Sequence, residues 1–448
     1  MPNHLTEGGL DGPGMMSFRK GFAAAAAVIA VAVGAGFGLR GAQSLTIPFP
    51  CAEGGACAYV CHSVVEEGRT ASDFIALAAY QLGPEKPIDL PPVNLGTPPP
   101  VDPHNVYAGA AAGMFSPAVD GQPTRVYSPN LATGRVDVID PETFKVIDSL
   151  EATPSPEHIV PSWDLQTLWV SADVSMSGGH GGVIPIDPRT GKLGKAIDVP
   201  DSYNIYFTPD GKSAIVVAEA MRRLEFRDPH TMELQGYIAT PDCAGINHAD
   251  FSPDGAYAIF TCEFNNSLAK IDLVNHTLAD TLPLTPGHMP QDIRIAPEGK
   301  IFFIADLVGD GVIVIDGDSF GQVDFIKTGV GAHGLYPSRD GTKLFVSNRG
   351  THSLGGQRNG MGSVSVIDFA TRKVVANWTI PGGGSPDMGN LSADGKWLWL
   401  SGRYDGVIYA FNTDDGSVKT VPVGGQPHGL TVWPQPGRYS LGHTGNMR

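Results

Sequence analysis

Ser252-Pro253-Asp254-Gly255-Ala256-Tyr257-Ala258-Ile259-Phe260-Thr261-Cys262 joins a tight turn to an apolar strand, and its copies along the chain decide the fold. Asp-Gly turns connect antiparallel strands because Gly tolerates positive φ and the Asp side chain caps the turn. Thr208-Pro209-Asp210-Gly211 repeats the turn closely. Looser copies are Ala296-Pro297-Glu298-Gly299, Ser338-Arg339-Asp340-Gly341 and Ser392-Ala393-Asp394-Gly395. Apolar runs follow at 214–218, 258–262, 301–305, 344–347 and 398–401. A third run alternates apolar and polar residues at 134–140, 182–187, 268–272, 311–316, 363–368 and 406–412, the period-two pattern of a strand. A weaker fourth run follows, as at 145–150 and 373–380.

Four strands recurring with a period in the forties describe a propeller blade. One blade cannot bury both faces of its sheet, so neighbours must stack around an axis. The pattern predicts an all-β, seven-bladed β-propeller. The first copy lacks a clear first strand and the last stops after about two, so the chain ends should complete one shared blade. An eighth blade is the alternative if residues 106–117 supply another first strand.

The copies resemble the YVTN/YncE-type β-propeller repeat family. The residues that carry the likeness are the Pro-Asp-Gly turns, Leu344-Phe345-Val346-Ser347-Asn348 and Gly362-Ser363-Val364-Ser365-Val366-Ile367-Asp368. It spans roughly residues 125–448 and implies a fold; propellers host many activities.

Composition agrees with this reading. Of 448 residues, 42% are hydrophobic and only 17% charged, with 57 Gly and 37 Pro, which suits a turn-rich β protein. The net charge of -16 argues against nucleic acid as a partner, because phosphate binding needs a basic face.

Arg19 and Lys20 precede an apolar run from 22 to 37, the pattern of a signal peptide or signal-anchor. Residues 1–42 are therefore expected to be targeting sequence, 43–105 a Cys-containing, Pro-rich segment, and 106–448 the propeller. The protein is expected outside the cytoplasm, held to the membrane by its N-terminus if the segment is uncleaved.

Aligned on the Asp-Gly turns, one position at the start of each first strand reads His158, Asn204, His248, Asp292, His333, Asp387 and His428. First strands surround the axis of a propeller, so these side chains should converge at one channel mouth. Imidazole and carboxylate are ligands of copper, iron and zinc. His158, His248, His333 and His428 are the leading ligand candidates, joined by His288 and His443 and by Cys243 and Cys262, which could instead form a disulfide. Asp292 and Asp387 are candidate ligands or proton carriers.

The design is similar in architecture to axial-histidine copper propellers such as nitrous oxide reductase and thiocyanate dehydrogenase. That likeness implies a copper oxidoreductase acting on a small substrate.

Cys57-Ala58-Tyr59-Val60-Cys61-His62 has one residue more than a c-type haem motif. Covalent haem, a Cys/His metal site using Cys51, Cys57, Cys61 and His62, and a disulfide staple are the readings it allows. There is no P-loop, dinucleotide fingerprint or nucleophile elbow. Two other functions stay open: a non-catalytic cell-surface propeller binding a ligand or an envelope protein, and a hydrolase or lyase using a ring histidine as base.

Overall fold

The computed structural model describes residues 45–50, 56–61, 96–172, 181–443 and 445–448, with backbone only for the first two stretches. The chain divides into two units, Met1–Ile75 and Ala76–Arg448. In the first, Leu45–Pro50 pairs antiparallel with Ala56–Cys61. Among the described residues, no helix is long and apolar enough to cross a membrane.

The second unit holds seven four-stranded antiparallel sheets, each a meander. Blade 1 is closed by both chain ends: Thr431–Trp433 supplies its first strand, and Arg125–Asn130, Arg135–Asp140 and Lys145–Glu151 the other three. The first strands of blades 2 to 7 are Pro156–Pro161, Asn204–Phe207, Ile246–Phe251, Pro290–Ile295, Ala332–Pro337 and Pro386–Leu391. The eighth blade is not formed, because residues 106–117 turn through Ala108–Ala110 and contain no strand.

Burial falls from the axis outward. The strand Ile246–Phe251 is buried at every residue, while Lys373–Thr379, fourth in its blade, alternates exposed and half-buried. The core lies between blades, as where Tyr206 and Phe226 pack with Phe251 and Phe260. The Asp-Gly turns take the expected form. Ser252 Oγ accepts from Tyr257 N at 3.0 Å, Asp254 Oδ1 accepts from Ala256 N at 3.0 Å, and Gly255 has φ +74°. All five turn glycines have φ between +69° and +79°, a region that costs a Cβ-bearing residue energy.

The last copy departs from expectation. It contributes a single strand, and residues 434–443 and 445–448 turn back into the central channel. Phe207 N donates to Leu441 O at 3.0 Å and His443 N to Ile205 O at 2.9 Å, so the tail lines the free edge of the first strand of blade 3. Gly442 is required there: a Cβ would lie 2.5 Å from Ile205 O. Val106 N donates to Pro297 O at 2.8 Å and Tyr107 Oη to Ile295 O at 2.5 Å, which ties residues 105–107 to the Asp-Gly end of the ring.

Candidate metal centre

A β-bulge presents the ring position in five blades. Pro156 pairs with Ala172 and Ile159 with Val170, so Glu157 and His158 together face Ser171. In the same way Asn247 and His248 face Thr261, Gln291 and Asp292 face Ala305, and Asp387 and Met388 face Ser401. In blade 6, Ala332 and Gly334 pair with the adjacent Asn348 and Ser347, leaving His333 outside the ladder. A bulge releases backbone groups from pairing and re-aims a side chain. Hydroxyls opposite the bulge take up those groups. Thr261 Oγ1 accepts from His248 N at 3.0 Å, Ser347 Oγ accepts from Gly334 N at 2.8 Å, and Ser401 Oγ donates to Met388 O at 3.0 Å. Polar residues inside these apolar strands therefore satisfy the backbone of the ring.

His158, His248 and His443 form the tightest group. Each offers a ring nitrogen, and the three nitrogens lie within 4.8 Å of one another. Ring centroids are 4.5 Å apart for His248 and His443, 5.4 Å for His158 and His443, and 5.6 Å for His158 and His248. His158 Nδ1 donates to Tyr203 O at 3.1 Å. That fixes the tautomer and leaves Nε2 with its lone pair, buried and without a partner. Asn204 Nδ2 lies 2.9 Å from His443 Nδ1 and 3.3 Å from His248 Nδ1, so one amide orients two imidazoles. His443 has φ +48°, an uncommon conformation for a residue other than Gly. The tail is anchored beyond it by Asn446 Nδ2, which donates to Asp250 Oδ1 at 3.0 Å, and by the Arg448–Asp250 ion pair at 2.5 Å.

The other half of the ring is ionic. Asp387 Oδ1 lies 2.8 Å from His333 Nδ1 and accepts from Arg349 Nε at 2.9 Å, and its Oδ2 accepts from His428 Nδ1 at 2.9 Å. His428 Nε2 lies 3.1 Å from Glu157 Oε1, which Arg403 NH1 approaches to 3.6 Å. The two halves touch, since the His158 and His428 centroids are 5.0 Å apart.

Burial sets the protonation states. It drives the His158 pKa down to about 3, although the Tyr203 carbonyl favours the charged ring. Burial likewise holds His248, His428 and His443 well below the ordinary value and lowers His333. Five neutral imidazoles result, the form that binds metal ions. Burial alone would raise Asp387, but Arg349, His333 and His428 outweigh it and hold the carboxylate well below its usual range.

Several expectations need correction. The open mouth is closed, because none of the seven ring residues is more than 2% exposed. The four leading histidines divide into His158 and His248 in the metal-competent group, and His333 and His428 on the Asp387 carboxylate. Asp292 is occupied by Arg294 NH1 at 2.7 Å, Ile293 N at 2.9 Å and Leu335 N at 2.9 Å, and neither it nor Asp387 belongs to the three-histidine group. His288 is partly exposed and bonds to Asp306 and, at 2.8 Å, to Thr285 Oγ1. Cys243 and Cys262 are joined in a disulfide, which removes both thiolates from the ligand set. The side chains of Cys57 and Cys61, and all of Cys51 and His62, lie outside the described residues.

Sequence reasoning missed Glu157, Arg349 and Arg403. The two arginines follow the second strands of adjacent blades, and aligning the copies on that strand end would have exposed them.

Residues 261–436 match the family described as YNCE-like beta-propeller. No curated protein matches the chain. Among solved structures, the periplasmic gluconolactonase PpgL of Pseudomonas aeruginosa is similar at 16% identity, with a TM-score of 0.55, over 70% of this chain and 99% of that one. The dihydro-heme d1 dehydrogenase NirN, solved in complex with DHE, is similar at 15% identity and a TM-score of 0.53, over 80% of this chain and 85% of that one. A functionally unknown protein from Desulfotomaculum acetoxidans matches at 15% identity and a TM-score of 0.55, over 68% of this chain and 98% of that one. These likenesses carry the fold: the chain is a seven-bladed β-propeller, and its residues 261–436 are similar to the YNCE-like beta-propeller family.

Proposed function

We propose that this propeller binds a transition metal, with copper favoured, at His158, His248 and His443, and acts as an oxidoreductase on a small substrate. The observation that carries the reading is the convergence of three buried, neutral imidazoles within 4.8 Å. An all-nitrogen donor set suits copper and zinc. Burial of unpartnered ring nitrogen is costly in the absence of an ion or water, and His158 Nε2 and His248 Nε2 both stand in that position. The Tyr203 carbonyl accepts from His158 Nδ1 from behind, as the outer partner of a metal-bound histidine does, while the Asn204 amide contacts Nδ1 of His443 and of His248.

A redox role is favoured over hydrolysis by the hydroxyls nearby. Those of Thr261, Ser347 and Ser401 are committed to bulge backbone, so no side chain among them stands ready as a nucleophile. The apolar N-terminal run behind Arg19 and Lys20, read as an export signal, gives the setting, in which the protein is released outside the cytoplasm or tethered there. Elemental analysis and electron paramagnetic resonance of protein prepared with copper(II) test the proposal. A single copper per chain with nitrogen hyperfine coupling supports it. Protein that holds no stoichiometric copper overturns it and leaves the non-catalytic binding propeller as the better reading.

A further inference from the structure

The second strands end at the same face as the ring, and the residue after each forms a second circle. It reads Leu131, Glu219, Glu263, Leu307, Arg349 and Arg403 in blades 1, 3, 4, 5, 6 and 7. The circle is polarised, with acids in blades 3 and 4 and arginines in blades 6 and 7.

We infer that Arg349 and Arg403 form the subsite for a small anionic substrate of the carboxylate class, placed beside the three-histidine group. The role as substrate subsite rests on the metal reading; the binding of the anion does not.

Both guanidiniums are nearly enclosed, at 1% and 9% exposure. Each commits part of its fork to a carboxylate of the layer beneath. Arg349 places Nε and NH2 on Asp387 Oδ1, at 2.9 and 2.8 Å, and Arg403 places NH1 3.6 Å from Glu157 Oε1. Arg349 NH1 and Arg403 Nε are left buried with no partner. A buried donor without a partner is costly, more so when charged, so two together call for an acceptor. They flank a common ring, with Arg349 Cζ 5.7 Å and Arg403 Cζ 6.0 Å from the centroid of Tyr404. Burial works against both charges, but Asp387 and Glu157 outweigh it and raise both pKa values, so the donors stay cationic.

The planar guanidinium fork matches a carboxylate in geometry.

The test is calorimetric titration of sodium formate into metal-free protein, with ionic strength held by sodium chloride. Saturable binding is expected, weakened about tenfold or more in Arg403→Gln and partly restored in Arg403→Lys. His443→Ala, which should weaken copper binding at least about tenfold, should keep formate binding, so failure of the metal reading and failure of the subsite are distinguishable. In the unsubstituted protein, formate should shift the Nε–H resonance of Arg403, a readout that needs no variant to fold. Absence of saturable formate binding, an unmoved Arg403 resonance, or equal binding by a folded Arg403→Gln protein would overturn the inference.

Discussion

The imidazole of His443 lies 4.5 Å, centroid to centroid, from that of His248, although one is carried by the returning C-terminal tail and the other by the first strand of blade 4. The metal group is therefore assembled from two kinds of chain. Ring strands supply His158 and His248, and the tail supplies the third imidazole. His443→Ala should leave the sheets intact, since blade 1 is closed by Thr431–Trp433 upstream of it. Copper affinity should fall at least about tenfold, since losing even an outer partner of a ligand costs about that much. Equilibrium copper titration followed by circular dichroism checks both parts. Retention of full affinity would remove His443 from the site.

Gly429 offers a second probe, through space instead of ligation. A Cβ on it would stand 2.2 Å from Cδ2 of His158. Gly429→Ala must therefore displace the imidazole, at an overpacking cost of about 1–3 kcal/mol. Weakened copper binding in a protein that still melts cooperatively is the expected result, and the measurement is again a copper titration beside a melting curve.

Asp387 anchors the ionic half. Removing it leaves Arg349, His333 and His428 buried without their shared carboxylate. Breaking a buried pair on one side costs about 3–5 kcal/mol. Asp387→Ala should lose that much in urea unfolding, whereas Lys396→Ala, which breaks the exposed pair with Asp394, should be nearly neutral.

Acid should unfold the metal-free protein early. The four ring histidines and His443 have lowered pKa values when folded, about 3 for His158, against about 6.5 in the unfolded chain. Below about pH 6.5 the unfolded chain takes up protons that the folded chain refuses, so stability falls as pH falls. One such histidine contributes about 1.4 kcal/mol per pH unit across that window, which at His158 extends to about pH 3. Urea midpoints at pH 7.5 and 5.5 should show a clear loss at the lower value. A flat or rising profile would mean that the rings are not buried as neutral groups.

Much of this architecture is legible in the chain itself. The Asp-Gly turns and the apolar runs after them mark the blades, because one turn chemistry and one strand period recur in every copy. Repetition also makes His158, Asn204, His248, Asp292, His333, Asp387 and His428 equivalent through their spacing from the turns alone. What repetition cannot convey is where it ends. Residues 434–443 and 445–448 belong to no blade, and His443 reaches the axis through tail hydrogen bonds to Ile205 and Phe207 that no periodicity encodes. The split between His158 with His248 and His333 with His428 is equally hidden. It depends on Arg349 and Arg403, charged partners that arrive from a different strand end. Cys243 and Cys262 are ambiguous in the sequence because a pairing distance is a property of the fold.

The proposed ion site is open to anomalous difference maps from copper-loaded crystals, with data collected on both sides of the copper edge. One strong peak is expected, bonded to nitrogens of His158, His248 and His443 at about 2.0–2.1 Å by analogy with zinc–imidazole bonds. A peak elsewhere in the propeller, or none among these three rings in protein shown to be folded, would contradict it.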